Sequence, residues 1–219
     1  MNDLDLLTFA RGPALNVALL ICVAGVLLRL FEIFGLGRKA DLAVPRSGSP
    51  GSGVRTLLTR SLPAPGMLRS DPVTYIGGYV FHIGLLVTIA LFGPHIALIR
   101  DVTGLSWPGL PSPVIDALTL ASLVALLVLL GHRLNHPVKR MLSTGGDYLA
   151  WILTFLPLFT GYLAYHHLLL EYTLMLSLHI LSVELLLVFL PFTKLFHVIS
   201  LFAARWYTGD GFARRGVAT

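Results

Sequence analysis

Cysteine is nearly absent. The 219 residues contain one, Cys22. A single thiol excludes an internal disulfide, a Cys-x-x-Cys-His covalent haem attachment and a cysteine-held iron–sulfur cluster built from this chain alone. Charge is scarce too, at 12% of residues against 55% hydrophobic. With a mean hydropathy of +0.80, that balance excludes a soluble domain and points to a membrane protein with several spans. There is no internal repeat. The first residues lack a basic n-region and a convincing cleavage site, so the first apolar run is expected to be retained.

What is present is a set of five apolar runs, at about 14–35, 73–99, 114–131, 148–165 and 172–203. Each is long enough to cross a bilayer as a helix. The net charge of +5 is the kind of signal that nucleic-acid binders give, but its placement says otherwise. Of 16 Lys and Arg, 12 fall in three segments: six in 36–72, three in 132–147 and three after 203. These alternate with segments holding only Arg11 and Arg100. The asymmetry predicts an N-terminus outside, a C-terminus in the cytoplasm and no nucleic-acid partner. The fold expected is an all-α, five-helix bundle forming one integral membrane domain over 1–219, in a bacterial or archaeal cytoplasmic membrane. Residues 36–72, rich in Gly, Pro, Ser and Arg, read as a flexible cytoplasmic loop, either satisfying the charge bias or docking a soluble partner.

Histidines stand out against this background. His179 and His197 lie in the last run, 18 residues apart. On a continuous helix that is about five turns, so both imidazoles share one face about 27 Å apart along the axis. Polar groups at such depths are costly and usually functional. The second run carries His82 and His95. In an antiparallel arrangement His82 lies level with His197, and His95 with His179. Two imidazole pairs at two depths are what two non-covalent, b-type haems require.

Other polar positions have plainer readings. His132 and His136, beside Lys139 and Arg140, read as a solvated basic patch. His166 and His167 read as an outer-surface pair, with ligation or a proton relay as the alternative. Glu184 reads as a structural hydrogen-bonding group or as an acceptor of quinol protons. Arg133 and Arg140 read as interface anchors or partners of haem propionates. Gly77, Gly78 and Gly84 read as packing positions.

Several segments resemble the gamma subunit of respiratory nitrate reductase and its relatives. These are Phe81-His82-Ile83-Gly84, then Arg133-Leu134, Pro137, Arg140, Thr144-Gly145 and Asp147, and then Phe189 to His197. The resemblance covers about 74–200. It implies a dihaem cytochrome b that exchanges electrons between quinol and an iron–sulfur subunit on the cytoplasmic face, with His82, His197 and His179 as ligands. The family's fourth ligand corresponds to Phe92, which cannot ligate. His95 is the nearest substitute, some 60° around an ideal helix and reachable if Gly93-Pro94 bends the chain. His166 or His167 as the fourth ligand, or loss of the outer haem, are the other outcomes. Relatives serving heterodisulfide-reductase-like iron–sulfur proteins match equally well. Two other classes stay open here: a proton-coupled transporter using intramembrane His and Glu, and a haem-free membrane anchor.

Overall fold

The computed structural model of the protein describes residues 2–37, 44–46, 51–63 and 65–217. Every regular element among them is helical. In chain order they are α1 (Asp3–Phe34), α2 (Ser52–Thr59), α3 (Pro65–Ser70), α4 (Pro72–Leu91) and α5 (Gly93–Thr103). Then follow α6 (Ser112–Asn135), α7 (Pro137–Leu142), α8 (Gly145–Tyr165), α9 (Tyr172–Phe189) and α10 (His197–Arg214). Helices α1, α4, α6 and α8, and α9 with the turn after it, are long and apolar enough to cross a membrane. The chain is a multi-pass, all-α membrane protein.

Three boundaries differ from the sequence reading. The first helix starts at Asp3, not near residue 14. Asn2 caps it: its side chain accepts from the Asp5 amide, and the Asp5 carboxylate accepts from the Asn2 amide. This reciprocal cap satisfies amides that a helix start leaves open. Pro13, without an N–H, is absorbed by a π-helical segment over Ala10–Ala14 and does not end the helix.

The second run is two helices, not one. Phe92 is extended (φ −81°, ψ 127°) and separates α4 from α5. Pro94 in the first turn of α5 fits a helix start and disfavours continuation from α4.

The last run also breaks. After α9 come two single 3₁₀ turns, Leu190–Phe192 and Lys194–Phe196, separated by an extended Thr193. Pro191 cannot donate to the helix ladder, so the helix yields there. The bent segment is held by α1. Pro191 packs on Gly25, and its carbonyl accepts from Arg29 Nε at 3.1 Å.

The segment expected to be a flexible loop contains α2 and α3. Helix α2 is laid against α10, with Gly53 on the Trp206 ring and Gly209 on Thr56. Arg38 and Lys39, and part of the Gly/Pro/Ser run at 45–53, lie outside the described residues.

The spans pack in the order α4, α6, α8, α9, α1. The tightest seam is α4 on α6. Gly84 lets the two backbones approach, and a Cβ there would lie 2.8 Å from the Leu118 carbonyl oxygen and collide with Ser122 Oγ. Close approach through small residues is how membrane helices associate without a hydrophobic driving force. Thr88 and Thr119 hydroxyls meet at 3.0 Å one turn further on. Phe81, Leu123, Leu126 and Leu158 form the apolar centre where α4, α6 and α8 meet. Helices α4 and α9 do not pack closely on each other; α6 and α8 lie between them in the packing order.

Gly84→Ala should lower the melting temperature of the detergent-solubilised protein by several degrees, since overpacking costs about 1–3 kcal/mol. Adding Ser122→Ala should recover only part of the loss, because the Leu118 carbonyl remains in the way. A full recovery would place the conflict at the hydroxyl alone.

Candidate functional site

Four histidines face each other in two pairs. His82 on α4 and His197 at the start of α10 have ring centres 6.1 Å apart, with planes at 76°. His95 on α5 and His179 on α9 have ring centres 6.3 Å apart, with planes at 20°. One pair sits in the interior of α4 and the other just beyond its C-terminal end.

Each imidazole is held by the same kind of bond. Nδ1 meets a main-chain carbonyl in all four: Gly78 for His82 (2.7 Å), Thr88 for His95 (3.0 Å), Pro157 for His179 (3.1 Å) and Lys194 for His197 (2.8 Å). A carbonyl only accepts, so Nδ1 must carry the proton. That fixes the tautomer with the lone pair on Nε2, the arrangement found in metal-ligating histidines.

The carbonyls are available for local reasons. The Thr88 carbonyl lies in the last turn of α4, where the break at Phe92 removes intrahelical partners. Its neighbours are satisfied from the following loop, Ala90 by Trp107 Nε1 at 2.7 Å and Leu91 by the Leu110 amide at 2.9 Å. The same break swings His95 round to Thr88 and toward His179, absorbing the angular offset between positions 92 and 95. Phe92 stays beside it, its ring edge-on to His95 at 5.2 Å. His179 has room because Gly161 lies opposite; a Cβ there would be 2.9 Å from its Cε1.

The common-face argument for His179 and His197 does not apply as stated. No continuous helix joins them, because the chain bends at Pro191–Thr193. His197 meets His82 through that bend and its bond to the Lys194 carbonyl.

The remaining histidines are arranged differently. His132 Nε2 bonds Asp71 at 3.1 Å, and His166 Nε2 bonds Asp116 at 2.6 Å. His136 lies edge-on to His132, and His167 stacks on Tyr172. The basic patch expected around His132 and Lys139 is therefore an ion cluster on Asp71, with Lys139 also bonded to Thr74. Arg133 and Lys194 converge on Asp147, at 3.6 and 2.8 Å, and Thr144 caps α8 with the same carboxylate. That latch joins the α6–α8 connection to the end of α9. Glu184 is buried, and its Oε1 has no partner among the described residues, so the expected structural hydrogen bond is not made by that oxygen. Gly78 has open space at its Cα and contributes its carbonyl instead of a packing surface.

The donor set narrows what the pairs can hold. A metal–imidazole bond is about 2 Å and the ring centre lies about 1 Å behind the nitrogen, so two imidazoles gripping one ion from opposite sides have centres about 6 Å apart. Both observed separations fit. Among the described residues no three His, Cys, Asp or Glu cluster as a metal site. Two imidazoles are therefore the donor set that the described residues offer at each pair.

No family model and no solved structure matches the chain. A protein of Nitratidesulfovibrio vulgaris (strain Hildenborough) is 31% identical over 220 residues, which cover 96% of both chains.

One prediction concerns the Asp71 cluster. The Lys139 ammonium, with Thr74 and His132, holds the Asp71 carboxyl well below the usual carboxylate range. A depressed carboxylate stabilises the fold above its unfolded pKa, about 4, and loses that contribution as pH falls through the lower folded value. Asp71→Asn should lower the melting temperature at pH 7 by about 2–4 °C. The gap from wild type should close in thermal melts taken progressively below pH 4. A gap that persists at acid pH would show that charge is not the cause.

Proposed function

The chain belongs to one family with the Nitratidesulfovibrio vulgaris protein, and we propose that it is a dihaem b-type cytochrome of the membrane. It would pass electrons between the quinone/quinol pool and an iron–sulfur oxidoreductase subunit docked on the cytoplasmic side. The observation that carries this reading is the pairing of four imidazoles, each with Nδ1–H on a main-chain carbonyl and Nε2 left as a donor.

In this reading His82 and His197 hold one haem, and His95 and His179 the other. The haem would supply one-electron chemistry there, with each pair of imidazoles as the residues that would hold it. The chain's part is to hold the imidazoles in one tautomer and to exclude water with apolar spans. The carbonyls do the first, and the seam between α4, α6 and α8 contributes to the second. The distribution of Lys and Arg supports an N-terminus outside and basic loops inside, where an acidic partner face could dock. The segments resembling the nitrate reductase gamma subunit support the same assignment. Asp147, Arg133, Thr144 and Lys194 all belong to those segments and meet in one latch. The location proposed with this function is a bacterial or archaeal cytoplasmic membrane.

The purified protein should give a pyridine haemochrome spectrum of b type, with two components in a redox titration. His82→Ala and His197→Ala should each remove the same component. His95→Ala and His179→Ala should each remove the other, while His166→Ala removes neither. Absence of the haemochrome from wild type rules the reading out; loss of different components within a pair breaks the pairing.

Gly161→Val offers a second check. The added methyls should displace the His179 ring and deplete the component shared with His95, leaving the other spectrum unchanged. Equal loss of both components would mean a general folding defect.

A further inference from the structure

The groove between α2 and α10 is separate from the histidine pairs and has a composition of its own. It is open to the surface, has a volume of about 330 Å³ and is lined by Thr56, Arg60, Ala204, Arg205, Thr208 and Phe212. Its lining combines two guanidinium groups and two threonines with a phenyl ring and an alanine methyl.

Among the described residues neither Arg60 nor Arg205 enters an ion pair, and Arg205 bonds only the neutral Ser61 hydroxyl, at 3.0 Å. Asp210, the acid on α10, is taken by Arg214 at 3.0 Å. Arg55, Arg214 and Arg215 add positive charge nearby in the chain. Planar guanidinium forks match phosphate oxygens bidentately.

The groove also has a depth. The Tyr79 hydroxyl donates to the Ser61 carbonyl at 2.6 Å. Tyr79 is seven residues into the spanning helix α4, about 10 Å along its axis from the end. That bond ties the chain beside Arg205 to the N-terminal half of a span, so the groove lies close to the end of the bundle. Around the groove the surface is apolar and exposed: Leu58 at 71%, Phe202 at 64% and Trp206 at 48%. Val198, Phe202 and Trp206 recur every four residues on α10, as in a helix lying at a membrane interface. Trp is the residue type favoured at that level. A soluble anion has no use for this apolar fringe, whereas acyl chains do.

We propose that the groove binds the phosphate head group of an anionic phospholipid in the leaflet at that end of the bundle, with Arg60 and Arg205 as its cationic ligands. The groove is a product of the packing of α2 on α10. Gly53 on Trp206 and Gly209 on Thr56 hold α2 and α10 at the spacing that forms it. Bound lipid joins the segment before α4 to the helix that begins with His197. The site does not rest on the haem reading, and its test needs no haem.

Native mass spectrometry of the full chain, delipidated in detergent and titrated with phosphatidylglycerol or phosphatidylcholine, tests this. Wild type should retain phosphatidylglycerol at least about tenfold more tightly, as expected for two basic residues at a membrane surface. R60Q/R205Q should lose the preference, R60K/R205K should keep part of it, and R215Q should keep all of it. Equal retention of the two lipids by wild type overturns the proposal without recourse to any variant. So does a preference that survives in R60Q/R205Q, or full displacement of the lipid by low-millimolar inorganic phosphate, which would mark a soluble-anion site.

Discussion

A single kind of hydrogen bond, imidazole Nδ1–H to a main-chain carbonyl, governs the centre of this molecule. It is made four times, from four different local backbones. In a membrane interior an imidazole without partners is costly, and one with both nitrogens satisfied is inert as a ligand. Binding one nitrogen and leaving the other resolves that conflict. It also means that backbone geometry, not side-chain chemistry alone, decides which histidines can act. His132 and His166 are bonded through Nε2 to the carboxylates of Asp71 and Asp116, not to main-chain carbonyls.

Two of the four bonds exist because helices end early. The stop at Phe92 leaves the Thr88 carbonyl for His95, and the turn after Pro191 brings the Lys194 carbonyl to His197. In each case the orphaned backbone groups are met locally or by a neighbouring span. Trp107 and Leu110 close the end of α4, and Arg29 closes Pro191. Breaks inside membrane spans are tolerated where such partners exist. Here they re-aim side chains that an ideal helix would point elsewhere.

The number of spans and the four histidine positions were legible in the sequence, because hydropathy runs and isolated polar residues within them are local signals. His95 stood out only as an irregularity beside Phe92, and Gly93-Pro94 marked the bend that turns it. The bend after Phe189 was misjudged. The 18-residue spacing reads as five helical turns only if Pro191 is ignored, and Pro191 is the residue that yields. The N-terminal turns were missed since Asp3, Asp5 and Pro13 look unhelical until the Asn2–Asp5 cap and the π segment are considered. The partnership of α2 with α10 had almost no sequence signal, because it turns on Gly53 and Gly209, and nothing local says which glycine another helix will approach. The carbonyl acceptors were invisible for a deeper reason: every residue has one, and only the fold selects which are free.

The turn at Pro191–Thr193 divides the last run mechanically. Above it, α9 with His179 is clamped between α8 and α1. Below it, α10 is an arm about 26 Å long whose first residue is His197 and whose packing is mainly with α2. His197 therefore sits at the fulcrum. The two imidazoles of this last run thus stand on opposite sides of one turn, His179 fixed by the bundle and His197 by the packing of α10 on α2.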